Sequence, residues 1–146
     1  MLYSLVVASD HFQVLVADAK GGPEIDTTHL WDASAGVASL PDEPQLIGIP
    51  TVRYGGWTNF RIEVLPMPPL GDPDSDWQKI GTFVLEIESG ELILWGPEAT
   101  DLETVPRIKL DPGRYNGIAY SSGTSHVDDE MSTEGPDTYR ISLWPA

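Results

Sequence analysis

The chain has 146 residues and carries 23 acidic against 8 basic side chains, a formal net charge of −15 at pH 7. So large a negative charge argues against nucleic acid and anionic membranes as partners, and it favours cations or basic proteins. The chain contains no cysteine, which excludes disulfide scaffolds, thiolate metal sites and cysteine nucleophiles. Its length and its 40% of hydrophobic residues predict one globular domain over residues 1–146.

The first 17 residues are largely apolar, but Asp10, His11 and Gln13 interrupt them. They lack a basic leading segment, and no apolar run approaches the roughly 18 residues that a membrane-spanning helix needs. We therefore expect a cytoplasmic protein.

Period-two alternation of apolar and polar residues predicts strands along the whole chain. The regular segments are residues 12–16, 60–64, 83–87 and 139–143, and less regular ones are 3–7, 46–54, 92–95, 107–110 and 115–120. In the first regular segment, Phe12, Val14 and Val16 are predicted to share the core face. With 13 prolines, 14 glycines and no sustained helical period, the chain predicts an all-β, two-layer antiparallel β-sandwich with Greek-key connections.

Two turns refine this fold. The stretch Arg53-Tyr54-Gly55-Gly56-Trp57 predicts a hairpin turn with Trp57 closing the core, and the alternative is an aromatic platform on the surface. Residues 110–115 have the form Leu-x-Pro-Gly-x-Tyr of a tyrosine corner, in which the Tyr115 hydroxyl binds backbone a few residues upstream. The alternative is an ordinary Pro-Gly turn followed by a strand that carries a surface tyrosine, and in either case Tyr115 is expected to be structural.

The acidic residues concentrate in loops 72–76, 98–103 and 128–137, so we expect them to serve recognition or solubility rather than the fold. If two of these loops lie at one end of the sandwich, they form a focused negative field. The predicted contact patch for a partner is formed by Asp128, Asp129, Glu130 and Glu134. The alternative is a solvated surface with no partner.

Asp72, Asp74 and Asp76 have the D-x-D-x-D spacing that begins a calcium loop, in which alternate oxygen ligands converge on a hard cation. However, Trp77 stands where the glycine of a helix-loop-helix site belongs. A calcium-binding or small-ligand-binding sandwich is therefore the alternative function, and otherwise no cofactor is expected.

No motif predicts catalysis. Residues 121–126 contain serines and His126 but lack the G-x-S-x-G turn that exposes a nucleophilic serine. Paired carboxylates of a hydrolase leave no mark in a sequence, so such an enzyme remains a third alternative. The sequence predicts a protein that is not an enzyme.

Two stretches carry a resemblance to a family. Residues 9–18, Ser-Asp-His-Phe-Gln-Val-Leu-Val-Ala-Asp, resemble the opening strand of competence-protein-J-like proteins, and residues 139–146 resemble the closing strand of related small bacterial sandwiches. The member that names this family inhibits a nuclease of the DNA-uptake machinery. The resemblance implies a β-sandwich that masks the active site of another protein. With the acidity, it predicts a non-catalytic inhibitor or immunity-type protein whose partner is a basic protein such as a nuclease.

Overall fold

The computed structural model describes residues 1–34 and 36–146, which form ten strands in two five-stranded sheets. In spatial order, the first sheet contains β1 (Leu2–Ser9), β5 (Gly56–Val64), β10 (Thr138–Pro145), β9 (Gly113–Ser122) and β6 (Gln78–Ile87). The second contains β3 (Ala38–Ser39), β4 (Leu46–Pro50), β2 (Gln13–Asp18), β7 (Glu91–Trp95) and β8 (Arg107–Lys109). The predicted all-β class is confirmed. In the part of the chain described, helix is limited to two 3-10 turns, Gly22–Glu24 and Thr124–His126, and no helix is long and apolar enough to span a membrane.

The first sheet is mixed rather than antiparallel. Strands β5 and β10 run parallel, with Asn59 opposite Thr138 and Val64 opposite Leu143, whereas the other strand pairs are antiparallel. The prediction of a wholly antiparallel sandwich was therefore wrong for this pair. Only a short hairpin connection forces two strands to be antiparallel, and residues 65–137 separate these two. The Greek-key order stays a prediction.

The main core lies between the two sheets. Strands of the first sheet alternate as predicted, with Phe60 and Ile62 buried and Arg61 facing outward from the core. Strands of the second sheet are instead buried on both faces, because residues of the segment that follows β2 and of the loop before β8 pack over its outer side. Leu15 is consequently buried alongside Val14. A sheet covered on both sides has apolar runs rather than alternation.

The turn between β1 and β2 corrects the prediction for Phe12. His11 and Phe12 have φ values of +50° and +60°, and Phe12 lies outside β2 with its ring partly exposed. Tyr54 holds this left-handed turn, because its ring packs 5.1 Å from that of His11 and edge-on to Phe12 at 5.4 Å. Phe12 also donates its N–H to the Tyr54 carbonyl and accepts from the Thr51 N–H. Bulky residues rarely adopt positive φ, so these contacts stabilise a strained conformation.

Residues 110–112 connect β8 of the second sheet to β9 of the first. The Tyr115 hydroxyl donates a 2.6 Å hydrogen bond to the carbonyl oxygen of Asp111, and Leu110 is buried in the core. Tyr115 is thus structural, and the full tyrosine corner stays a prediction.

Asp18 ends β2 and is completely buried, contrary to the expectation that the acids do not serve the fold. Its carboxylate accepts from the N–H groups of Gly21, Glu88 and Ser89 and from the Ser89 hydroxyl, at 2.7–3.0 Å. Burial raises the pKa of Asp18, but these four hydrogen bonds together hold the pKa below its ordinary value. Asp18 therefore joins two turns as a buried anion, the turn that follows β2 and the turn between β6 and β7.

Candidate protein-binding surface

Several loops meet at one end of the sandwich, which we call the acidic end. It comprises residues 10–12, 51–55, 96–106 and 123–137, where β1, β7 and β9 finish and β2, β5 and β10 begin. The strand register brings Val6, Asn59 and Thr138 side by side near this end. Two of the three acidic loops predicted from sequence therefore lie together here. The third approaches it, because Ser75 and Asp76 line a polar groove with residues 122–126.

The predicted contact residues all lie exposed on one loop of the acidic end: Asp128, Asp129, Glu130 and Glu134. Backbone hydrogen bonds fix that loop to residues 54–57, where β5 of the first sheet begins. The Tyr54 N–H donates to the Glu130 carbonyl at 2.7 Å, and the Trp57 N–H donates to the Thr133 carbonyl at 2.8 Å. Exposed carboxylates thus project from an anchored backbone.

A buried ion pair, which we call the Arg53–Asp137 clamp, holds the base of this loop. Arg53 is 1% exposed and Asp137 is fully buried, and Arg53 Nε donates to Asp137 Oδ1 at 2.7 Å. The other guanidinium nitrogens donate to the carbonyls of Gly55, Ser132 and Trp57 and to the Thr58 hydroxyl. All five N–H donors of the guanidinium therefore have acceptors, which is what a buried arginine requires.

Tyr139 completes the clamp from the core side. Its hydroxyl donates to Asp137 Oδ2 at 3.0 Å and accepts from the Val52 N–H at 2.9 Å, and its ring stacks on Phe60 with 5.3 Å between centroids. Burial, reinforced by the Asp137 charge, raises the pKa of Tyr139 well above its ordinary value. The hydroxyl thus stays protonated and remains a donor to Asp137.

Exposed apolar side chains accompany the acidic residues. Trp57 is 59% exposed and Met131 is 61% exposed, and Phe12 and Val52 are also partly exposed. The predicted hairpin at residues 53–57 was wrong, because β4 and β5 belong to different sheets. Trp57 consequently does not close the core. It lies on the outer face of the first sheet, which agrees with the alternative prediction of an aromatic side chain on the surface.

Trp57 also borders a groove of about 400 Å³ between the edge of β1 and the loop before β8. Val6, Ala8 and Trp95 supply apolar lining, and Asp101 adds a carboxylate. An apolar floor beside acidic side chains suits an apolar or cationic side chain of a partner.

The candidate metal-ligating side chains fall in two separate groups. Asp72, Asp74 and Asp76 are exposed, and Asp74 Oδ1 accepts from the Asp76 N–H. Within residues 1–34 and 36–146, three ligand atoms come within 4.8 Å of one another in a different group, Asp10, His11 and Glu98. Asp10 Oδ1 lies 2.8 Å from His11 Nδ1, and Glu98 Oε1 lies 3.7 Å from His11 Nε2. Calcium binding by the aspartate loop stays a prediction.

Sequence reasoning missed the clamp and assigned Trp57 to the wrong side. A weak signal existed, because Arg53 is the one basic residue between Lys20 and Arg61 and follows an apolar segment. In a chain with only eight basic residues, such an arginine is a candidate for a buried pair. Nothing in the sequence, however, identifies Asp137 among the neighbouring acids as its partner.

The fold and this surface define a small two-sheet β protein with an acidic end fixed by a buried ion pair. Its architecture is shared with two solved structures. Crocagin biosynthetic protein J is 18% identical with a TM-score of 0.67, over 99% of this chain and 97% of that chain. ComJ from Bacillus subtilis, an inhibitor of the DNA-degrading activity of NucA, is 16% identical with a TM-score of 0.59, over 100% of this chain and 96% of that chain.

The likeness predicted from residues 9–18 and 139–146 is therefore confirmed at the level of the fold. No family model matches the chain, and no curated protein matches its sequence.

Proposed function

We propose that the protein is a non-catalytic acidic binding protein of the inhibitor type, acting in the cytoplasm without a cofactor, and that its partner is a basic protein such as a nuclease. One observation carries the proposal. Four exposed carboxylates project from a loop that the Arg53–Asp137 clamp fixes beside the exposed Trp57. Protein interfaces commonly combine aromatic anchors with a polar rim of this kind.

The anchored backbone favours tight association. A loop that is ordered before binding loses less conformational entropy when a partner docks. The clamp and the two backbone bonds from Tyr54 and Trp57 already restrict the loop in the free protein. The surrounding negative charge accelerates the encounter with a basic protein, and the effect weakens with salt.

The likeness to ComJ supports an inhibitor-type role, since that protein is described as inhibiting NucA. Crocagin biosynthetic protein J shares the fold and belongs to a biosynthetic context, so the fold alone does not select the partner. We infer a basic partner from the net charge of −15 of this chain and from its acidic loops.

Affinity capture from a lysate of the source organism tests the proposal. The wild-type protein is compared with a variant in which Asp128→Asn, Asp129→Asn, Glu130→Gln and Glu134→Gln are combined. The matched control neutralises four exposed acids near the opposite end of the sandwich, through Glu24→Gln, Asp42→Asn, Glu43→Gln and Glu88→Gln. Both variants lose four charges, so only the position of the lost charge differs.

We expect a basic protein to be retained by the wild type and the control, released by raised salt, and lost from the loop variant. Added wild-type protein should also inhibit the activity of the captured partner. Equal retention by both variants, or capture that is independent of salt, would contradict the proposal. Trp57→Ser tests the aromatic part separately and is expected to increase the dissociation rate.

A further inference from the structure

Basic residues gather on the outer face of the first sheet, in a row close to the acidic end. The register aligns Lys79, Tyr120, Arg140 and Arg61 in one row across β6, β9, β10 and β5. Three positive side chains in one row are unexpected in a chain with eight basic residues and a net charge of −15. Such a concentration calls for a physical reason.

Arg61 and Arg140 lie directly opposite each other on parallel strands. Like charges in this position repel and destabilise a sheet unless something compensates them. Glu63 compensates Arg140, with 3.3 Å between Nη2 and Oε1. Arg61 has no carboxylate within 4 Å among residues 1–34 and 36–146, whereas the other arginines described each have one.

The indole of Trp77 lies 5.9 Å from the Arg61 guanidinium and 5.8 Å from that of Arg140. Contact with an aromatic face restricts both side chains without neutralising them. Arg140 Nε is in addition buried without a hydrogen-bond partner among the described residues. Arg61 therefore retains a positive charge without a carboxylate partner, whereas Arg140 is paired with Glu63 and its free donor is buried.

A groove of about 270 Å³ borders Arg61 on this face. Beside Arg61, its polar lining comes from Ser4, Asn59 and Thr138, and the described residues that line it include no acid. Hydroxyl, amide and guanidinium groups all donate hydrogen bonds, and a guanidinium matches the planar fork of a carboxylate or the oxygens of a phosphate. The volume limits the ligand to a small molecule or a single anionic group.

We infer that this groove is an oxyanion-binding site, in which Arg61 binds the carboxylate or phosphate group of a small ligand and Ser4, Asn59 and Thr138 contribute further hydrogen bonds. None of the four predicted contact carboxylates lines this groove, so oxyanion binding does not depend on the proposed partner, although Val6, Asn59 and Thr138 place the groove near the acidic end. The groove gives the protein a second recognition surface of opposite charge.

Titration followed by NMR amide shifts tests the site with two probes, inorganic phosphate and succinate, each at constant ionic strength set with chloride. We expect saturable shifts at residues 59–61 and 138–140 for at least one probe. The stronger probe identifies the group that the site prefers. A hydrogen bond to a charged group is worth about tenfold or more in affinity, so Arg61→Gln should weaken binding at least about tenfold.

Arg61→Lys retains the charge but loses the planar fork, and it should bind with intermediate affinity. The matched control is Arg114→Gln, since Arg114 is exposed on the same sheet and lies near Glu86. It should bind like the wild type. Shifts no larger than those caused by chloride, or equal losses in Arg61→Gln and Arg114→Gln, would overturn the inference.

Discussion

The Arg53–Asp137 clamp makes a quantitative prediction about stability. Replacing Asp137 with asparagine keeps the size of the side chain but leaves the Arg53 charge buried. Of the five hydrogen bonds from Arg53, four go to neutral oxygens, and within the described chain Asp137 supplies the one carboxylate within 4 Å. Breaking a buried pair in this way costs about 3–5 kcal/mol, which is a large part of the roughly 5–15 kcal/mol by which a domain is folded.

Urea unfolding followed by tryptophan fluorescence measures the loss. The matched acid-to-amide control is Glu86→Gln, whose partner Arg114 is 3.9 Å away and well exposed, so its cost should be about 0–1 kcal/mol. Replacing both clamp residues, with Arg53→Met and Asp137→Leu, should be less harmful than Asp137→Asn because no unpaired charge remains. If Asp137→Asn lowers the free energy of unfolding no more than Glu86→Gln does, the clamp does not hold the fold.

Three further experiments address the buried groups and the aspartate loop. Tyr139→Phe should lower the free energy of unfolding by about 1–3 kcal/mol at neutral pH, because Val52 N–H loses its acceptor and Asp137 loses a donor. Because the pKa of Tyr139 is raised in the folded state, wild-type stability should fall as pH rises above about 10, and denaturant titrations of Tyr139→Phe should show a smaller decline. The lowered pKa of Asp18 acts in the opposite direction. Its contribution to stability is fully present above the ordinary pKa of 3.8 and is lost as pH falls from there through the lower pKa of the folded state. Asp18→Asn should therefore be less stable than the wild type at neutral pH and less sensitive to acid. If the aspartate loop bound calcium, calcium at one hundred times its dissociation constant would raise the free energy of unfolding by about 2.7 kcal/mol. We expect instead that the melting temperature is the same in calcium and in chelator. A rise in calcium that Asp74→Asn abolishes would favour the calcium-binding alternative.

The sequence predicted the first sheet well, because that sheet leaves period-two alternation in its strands. Phe60, Phe83 and Tyr139 were assigned to the core, and all three are buried. The second sheet is covered on both faces, so its strands have apolar runs that do not reveal which side faces the core. The positive φ of Phe12 has no signal in residue type, since bulky residues ordinarily avoid that conformation.

The candidate site was harder to predict because its parts are distant in the chain. The exposed acids of residues 128–134 could be identified by composition, and the structure brings their loop to the same end as residues 98–103. The clamp that fixes them joins residues 84 positions apart. A contact between residues so far apart in the sequence depends on how β5 and β10 are arranged in the sheet, and no local sequence pattern predicts that arrangement.

The position of β10 has a consequence for how the chain folds. Among the ten strands of the described residues this strand comes last in sequence order, but it is central in the first sheet, where it joins β5 on one side and β9 on the other. Before β10 is in place, β1 pairs only with β5, and β9 pairs only with β6. The position between β5 and β9 is then empty, and both of these strands have an unpaired edge. When β10 inserts between β5 and β9, it pairs with a strand that is distant in sequence. We therefore expect slow folding with a late, cooperative final step. Before that step the unpaired strand edges make the partly folded protein prone to aggregation.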